Sequence, residues 1–348
     1  MFEQLRVIFG VLIWLIVGIL AGLNVIEVGL VEQLFLLAPL AIIPLGLRLI
    51  KIPAQAKRQQ QLYGLIRIAQ PMCALAVVIA FVAPTGMLAG LLAASWFGLT
   101  GLMALLGLTR FIGRGLTNPV EGGSEVFDRG AGKARPDRGR GKLCPYNFLK
   151  FWTQPLAEIS SDVGLIYVAV GGGWLVLARL GLNPLGFADL VVLLTAVHFH
   201  YAGFAAPIMA SMTGRELAKI TQTTPRLYRI SVLGIMAGTP IVAAGITFSP
   251  LLELMGAVIL ATSLAILAYL IILVALQAIT HRPAQILLSL AAICLIAGMG
   301  LTYAYALGEF SGQAWVVIPD MVRFHGIANA LGFGLGGLLA WNILPESG

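Results

Sequence analysis

Charged residues are scarce in this sequence: Asp, Glu, Lys and Arg make up 11% of its 348 residues, whereas a soluble protein carries about 25%. This scarcity excludes an ordinary soluble domain. It also excludes a nucleic-acid-binding protein, because no folded polar domain carries the net charge of +7 as a basic surface. Hydrophobic residues make up 59% of the chain, and the mean hydropathy is +0.94. They occur in blocks of about twenty, the length that crosses a bilayer core as an α-helix.

Ten-residue segments of alternating polarity, which are typical of membrane β-barrel strands, are also absent. The predicted fold is therefore all-α: a polytopic transmembrane helical bundle of about ten spans. The predicted spans one to ten cover residues 5–23, 31–50, 62–82, 87–108, 159–179, 187–212, 228–248, 251–279, 284–307 and 319–343.

The basic residues fall almost entirely on one face when these spans are threaded with the N-terminus inside. The inner loops and inner span ends hold Arg48, Lys51, Lys57, Arg58, Arg67, the eight basic residues from Arg110 to Lys142, Lys150, Arg215, Lys219, Arg226, Arg229 and Arg282. Arg179 lies on the outer face, and Arg323 lies just inside span ten. This positive-inside pattern predicts that both termini are inside.

Residues typical of metal and redox sites are few: the chain has three cysteines and four histidines. The spacing of Cys73, Cys144 and Cys294 indicates neither a disulfide nor a zinc site. The CxxCH motif of haem attachment and the GxxxxGK[ST] motif of phosphate binding are both absent. The sequence therefore assigns no metal, no cofactor and no catalytic residue.

A polar segment divides the chain into two membrane blocks. Residues 1–108 hold spans one to four, residues 109–158 form a cytoplasmic connection rich in glycine and arginine, and residues 159–348 hold spans five to ten. The connection has too few large apolar residues to bury a core, so we expect it to be flexible and attracted to anionic lipid headgroups. At its end, Phe148, Phe151 and Trp152 predict a short helix lying at the membrane interface. Glu158 and Asp162 follow and are interpreted as interfacial capping residues.

Two histidines lie inside the sixth predicted span, in the segment VLLTAVHFHYAGFAAPIM. His198 lies about 16 Å from the outer end of the span by helical rise. Ionisable side chains inside lipid are expensive and usually functional. On a regular helix His198 and His200 point about 200° apart, whereas His198 and Tyr201 share a face. We therefore expect one of the two histidines, His198 in preference, to point into the bundle.

Span ten supplies a second polar stripe. Met321, His325 and Asn329 recur every four residues and so lie on one face of the helix. Gly326 and Gly332 permit a neighbouring helix to approach closely. We therefore predict that spans six and ten are neighbours, and that His198 or His200 shares a polar pocket with His325 and Asn329. The ligand-binding candidates are His198, His200, Tyr201, Met321, His325 and Asn329.

The segments HFHYAGF and MVRFHGIANALGF resemble the signature of the YndJ-like family of bacterial multi-pass membrane proteins. That signature is a His-x-His-aromatic-Ala-Gly-Phe segment followed by a Met-x-x-x-His-Gly-x-x-Asn-Ala-x-Gly-Phe segment. By position the resemblance marks His198, His200, Tyr201, Gly203, Phe204, Met321, His325, Gly326 and Asn329. It implies a shared multi-span architecture, a shared site and a place in the inner (cytoplasmic) membrane of a bacterium, and it implies no particular activity.

Three functions fit these residues. The first is a pocket for a small or lipid-like ligand, used by an intramembrane enzyme or a proton-coupled carrier, since neutral imidazole acts as acid or base near pH 7. The second is ligation of haem iron or another metal by His198 or His200 with His325, with Met321 as a further ligand. The third is a structural or assembly subunit of a membrane complex, in which the histidines bond neighbouring helices. The lipid bilayer is a partner in all three.

Overall fold

The computed structural model describes residues 2–117, 155–221 and 224–344. In those ranges the chain is helical and has no β-strand, which confirms the all-α polytopic fold. Nine helices of the described ranges are long and apolar enough to cross a membrane. The tenth predicted span is a run of shorter helical segments between Ile318 and Asn342. The inside location of both termini stays a prediction.

Most spans are single helices, and three change their winding part-way. The single helices are span one (Phe2–Gly22), span three (Lys57–Val82), span four (Met87–Thr117), span five (Leu156–Leu180), span seven (Arg226–Phe248), span eight (Pro250–Gln277) and span nine (Arg282–Ser311). Span two joins Leu30–Leu37, Ala38–Ile42 and Ile43–Arg48, and span six joins Asp189–His200, Tyr201–Ala205 and Ala206–Thr221. Span ten joins Ile318–Asp320, Met321–Gly326, Ala328–Gly336 and Gly337–Asn342.

The two ends of the predicted connection between the blocks are helical. Span four continues to Thr117 and span five begins at Leu156, so residues 109–117 and 156–158 belong to helices. The charges of Arg110 and Arg114 do not end span four, because they pair with carboxylates of span five. The rest of the connection, with the predicted interfacial helix, lies outside the described residues.

Span two lies at the centre of the bundle. In its apolar stretch 83% of the residues are buried inside the protein, against 17% for span one. It contacts spans one, three, six and ten. Hydropathy does not distinguish such a helix from one that faces lipid, because both are apolar. This central position was therefore not evident from the sequence.

Spans two, six and ten each contain π-helical winding, at Ala38–Ile42, at Tyr201–Ala205, and at Met321–Gly326 and Ala328–Gly336. In spans two and six the π segment ends two residues before a proline, Pro44 or Pro207. Proline has no N–H to donate to the carbonyl four residues earlier, and that carbonyl lies inside the π segment in both spans. In span ten this stretch is rich in glycine and contains no proline.

Candidate functional site

The π-helical segments of the three spans meet in one region of the bundle. The segment of span ten contacts those of spans two and six. The Tyr201 hydroxyl donates a 2.8 Å hydrogen bond to the Leu34 carbonyl of span two. Its ring lies against Gly334 of span ten, where an added Cβ would be 3.3 Å from Tyr201 Cδ1. Single π turns inside α-helices occur frequently at functional sites.

His325 is held by span nine. Its Nδ1 lies 3.0 Å from the Gly298 carbonyl oxygen and 3.2 Å from the Thr302 hydroxyl. A carbonyl oxygen only accepts hydrogen bonds, so Nδ1 carries the proton and Nε2 of the neutral ring carries the lone pair. The imidazole of His325 therefore has a fixed orientation and a defined accepting nitrogen.

His198 lies close enough to His325 for the two imidazoles to interact electrostatically. Its Nε2 atom is buried and has no hydrogen-bond partner among the described residues. A buried polar atom without a partner costs about 1–3 kcal/mol on mutational scales. Most such atoms in native proteins are paired, so this one stands out from its surroundings.

Asn329 lies one helical turn after His325 and contributes a second unpaired atom. Its Nδ2 donates a 2.9 Å hydrogen bond to the His325 carbonyl, while its buried Oδ1 has no partner within the described part of the chain. The side chain fits against span nine because residue 298 is glycine: a Cβ there would collide with the Asn329 amide at 2.5 Å. Gly298 therefore contacts both residues: its carbonyl bonds the His325 ring, and its lack of a side chain leaves room for Asn329.

Met321 and Gly326, which also lie in span ten, have ordinary packing surroundings. Met321 is half-buried one turn before His325. Gly326 packs against Leu34 of span two, whose Cδ1 would lie 3.0 Å from an added Cβ. The structure thus brings His198, Tyr201, His325 and Asn329 into one region, which we name the histidine-pair site.

His200 lies apart from this site. Its ring is fully buried, and its Nε2 accepts a 2.9 Å hydrogen bond from the Trp96 indole of span four. Its Nδ1 lies 2.8 Å from the Ala196 carbonyl, and the ring of Phe35 approaches it edge-on at 4.8 Å. Both ring nitrogens are therefore satisfied inside the protein. The structure separates the two histidines of span six, which the sequence left as alternatives for one pocket.

Glu158 and Asp162 were predicted to be interfacial capping residues, but both belong to a buried ion cluster. Arg110 pairs with Asp162 at 2.6 Å and with Glu158 at 3.1 Å. Arg114 also pairs with Asp162, and Arg215 of span six pairs with Glu158 at 2.8 Å. The Asp162 side chain is 0% exposed. The sequence did contain a signal: two arginines four apart end span four, and two acids four apart begin span five.

This ion cluster also fixes the end of the central helix. Arg215 donates a 2.7 Å hydrogen bond to the Leu49 carbonyl, and Arg110 donates one to the Lys51 carbonyl. These carbonyls follow the last turn of span two and lack partners within the helix. Spans two, four, five and six are therefore tied together at one end of the bundle, while the histidine pair lies in the other half of spans six and ten.

The side chains of the histidine-pair site offer few ligands for a metal ion. Within the described ranges, no three His, Cys, Asp or Glu side chains are grouped closely enough to hold a metal ion. The histidine pair supplies at most two imidazole nitrogens, together with amide and phenol oxygens. Such a set suits hydrogen bonding to a polar group better than the dense ligation of a structural metal.

Comparison with known proteins identifies relatives of this chain. A relative from Bacillus subtilis (strain 168), named "Uncharacterized membrane protein YndJ", is 30% identical over 201 residues. That match covers 57% of this chain and 36% of the relative, so the chain spans little more than a third of the relative's length. No solved structure matches the chain. A family model described as YndJ-like protein matches residues 33–333, which include both histidine segments and most of the chain. The chain is a multi-pass membrane protein that belongs to the YndJ-like family.

Proposed function

We propose that this membrane protein binds a small or lipid-like ligand at the histidine-pair site. The observation that carries the proposal is the pair of buried atoms, His198 Nε2 and Asn329 Oδ1, that have no hydrogen-bond partner among the described residues. One unpaired buried atom alone would be a small cost to stability and no sign of a site. Together, beside an anchored His325, they form a polar surface that a bound group would satisfy.

The chemistry of these atoms limits the ligand. An amide oxygen accepts hydrogen bonds and never donates, and His325 Nε2 also accepts when the ring is neutral. The ligand should therefore present at least one donor, such as a hydroxyl group or an N–H. A hydroxyl group can donate its one hydrogen to either acceptor, and its oxygen can accept from His198 when Nε2 of that ring carries the proton.

The two imidazoles give the site acid–base capacity. Imidazole changes its charge near neutral pH more readily than any other side chain. Like charges repel, so a proton on one imidazole disfavours a proton on the other. A shared proton of this kind suits acid–base catalysis on the ligand or proton-coupled movement of it.

Access from the bilayer is the route that the surroundings favour. Phe324, which adjoins His325, is 55% exposed on the outside of the bundle. Its neighbour Arg323 lies over the Phe324 ring at 5.7 Å and is also exposed. A lipid-like molecule lying along this apolar face would reach the histidine pair sideways, with a cation beside its polar end. This supports a lipid-like ligand over one that enters from water.

Native mass spectrometry of the full chain, extracted in mild detergent and supplied with a total bacterial lipid extract, tests the proposal. The wild type should retain a non-protein mass that His198→Leu and Asn329→Leu lose while keeping their helical content. Asn342→Leu is the matched control, because Asn342 lies in the same span and, among the described residues, its Nδ2 donates to the Leu45 and Leu338 carbonyls. That variant should keep the mass. Equal retention by all four proteins would remove the histidine pair from the binding site.

Retention of a ligand would not by itself distinguish an enzyme from a carrier. Proteoliposomes with an imposed pH gradient should show flux of the identified ligand only if the protein is a carrier. Conversion of the ligand without a gradient would indicate an enzyme. Absorbance of haem, or a stoichiometric metal in the purified protein, would instead favour ligation by His198 and His325. A stable protein partner in place of any ligand would favour an assembly subunit.

A further inference from the structure

The outer ends of spans nine and ten enclose a pocket of about 550 Å³, which we name the outer pocket. It lies at the turn between the two spans, on the predicted outer side of the membrane. Span nine lines it with Tyr305, Gly308 and Glu309, and the rest of its wall comes from the turn and from Ile318 and Pro319 at the start of span ten. A pocket of this size has room for several water molecules.

Polar residues of span nine lead from the outer pocket to the histidine pair. Gly298, Thr302, Tyr305 and Glu309 follow one another at spacings of four, three and four residues, so they lie on one face of the helix. The Gly298 carbonyl oxygen and the Thr302 hydroxyl lie 3.0 and 3.2 Å from Nδ1 of His325. Tyr305 and Glu309, further out, line the pocket. The deepest lining residue of span nine is therefore a helical neighbour of the residue that contacts His325.

Span ten presents the same order from the other side. Ile318 lines the outer pocket, Met321 is half-buried one turn deeper, and His325 lies one turn deeper again. Spacings of three and four residues place these side chains on one face of the span. Met321 therefore stands between the pocket and His325. Its side chain is unbranched and flexible, so it can move aside for water.

The charge of the outer pocket is negative. Glu309 is exposed, and Glu253 at the start of span eight lies close enough to Glu309 and Tyr305 to interact electrostatically with both. Asp320 follows the lining residues of span ten, whereas Arg323 lies over the ring of the next residue at 5.7 Å. The described residues that line the pocket include no Lys or Arg. A cleft lined by one sign of charge concentrates ions of the other sign, so this entrance favours cations, protons included.

We propose that the outer pocket is a water-filled vestibule through which His325 exchanges protons with the outer solution. The inference rests on the proposed function, because an acid–base site inside the membrane needs a route for protons. The ligand would still enter from the bilayer, so the two routes differ.

The contacts of His325 suit such an exchange. A proton taken up at Nε2 leaves the ring with two N–H groups, and release of the Nδ1 proton to water returns the ring to its neutral form. The Thr302 hydroxyl accepts from Nδ1 while that nitrogen carries a proton, and it can donate to Nδ1 once the proton has left. Waters beside Tyr305 and Glu309 then carry the proton outward.

The test is the reactivity of single cysteines in the full chain, in a cysteine-free background and in intact cells. The reagent is the impermeant cation trimethylammonium-ethyl methanethiosulfonate, which reacts with thiolates that are in contact with water. Thr302→Cys and Tyr305→Cys should both react, although Thr302 lies about 14 Å inside the end of span nine by helical rise. Gly300→Cys and Leu307→Cys are the controls, because they bracket those two positions in depth but are exposed on the outside of the bundle, where lipid should protect them.

Reaction of Thr302→Cys at least about tenfold faster than both controls would support the vestibule, since a thiol buried away from water is inert. Reaction of Tyr305→Cys alone would show a pocket that ends short of His325, and equal rates at all four positions would show no route; either result overturns the proposal. Should Thr302→Cys fail to fold, Met321→Cys probes the same route from span ten and should react. Gln313→Cys in the adjoining turn must react in the same cells, and its failure to do so would overturn the outer location.

The charge of the reagent gives a second readout. Once each rate is divided by the rate of the same reagent with a free thiol in solution, Tyr305→Cys should prefer the cationic reagent over its anionic sulfonate counterpart. Glu309→Gln should weaken this preference, because it removes a negative charge at the entrance; an unchanged preference would contradict the acidic entrance. Labelling requires no ligand, so a reactive Thr302→Cys in a protein that retains no ligand would remove the proposed function alone. An unreactive Thr302→Cys in a protein that retains one would remove the vestibule alone.

Discussion

The indole N–H of Trp96 in span four donates a 2.9 Å hydrogen bond to Nε2 of His200 in span six, with both side chains fully buried. His198, two residues earlier, has an Nε2 atom that is buried without a partner in the described part of the chain. Two histidines of one helix therefore have opposite environments. One joins two helices, and the other is the histidine that we propose contacts a bound group.

This contrast predicts opposite effects on stability for the same substitution. His200→Leu leaves the Trp96 N–H buried without an acceptor, so we expect a loss of about 1–3 kcal/mol of unfolding free energy. His198→Leu removes an unpaired polar atom and should leave the stability of the ligand-free protein unchanged or slightly raised. Thermal unfolding of the delipidated protein in one detergent measures both. Equal destabilisation by the two substitutions would contradict the assignment of His200 as structural and His198 as available.

The ion cluster gives a second stability prediction. Asp162→Asn removes a fully buried carboxylate and leaves Arg110, Arg114 and Arg215 facing Glu158 alone. Breaking one partner of a buried pair costs about 3–5 kcal/mol, so a marked drop in the unfolding midpoint is expected. Glu216→Gln is the control, because Glu216, 15% exposed, pairs with Lys219, which is 57% exposed, and a pair with one partner in solvent should contribute close to the about 0–1 kcal/mol of surface pairs.

A double-mutant cycle separates the ion pair from general damage. Arg110→Gln combined with Asp162→Asn should cost less than the sum of the single changes, because the double variant leaves neither of those two buried charges without its partner. Strictly additive losses would indicate that the two side chains contribute independently and that the cluster is not a unit.

The orientation of the bundle also remains to be measured. In a cysteine-free background, Gly130→Cys lies in the connection between the two blocks and should react in intact cells only with a membrane-permeant reagent. Gln313→Cys is the matched site on the predicted outer side, in the exposed turn between spans nine and ten. It should react with an impermeant reagent as well. The reverse pattern would turn the whole bundle over.

Span number and helical class were predictable from the sequence because bilayer thickness sets the length of each apolar block. The grouping of His325 with Asn329 was predictable too, since residues four apart share a helical face. The central position of span two was not, because lipid and protein interior select the same apolar residues. The ion cluster was missed for a related reason: the charges of Arg110 and Arg114 were taken to mark the end of a span, whereas their partners on span five keep them inside a helix.

The last prediction concerns Gly298, whose missing side chain makes room for Asn329. In Gly298→Ala the new Cβ would lie 2.5 Å from Asn329 Nδ2, so the amide must move and its 2.9 Å bond to the His325 carbonyl should break. The displaced amide is the end of a flexible side chain, so the loss of stability should be smaller than the about 1–3 kcal/mol of core overpacking, while displacement of Asn329 should abolish retention of a ligand at the histidine-pair site. Gly300→Ala is the control in the same helix, because an added Cβ there meets nothing within 4 Å. It should change neither the unfolding midpoint nor ligand retention. If both substitutions behave alike, Asn329 is not held against span nine in the way that the histidine-pair site requires.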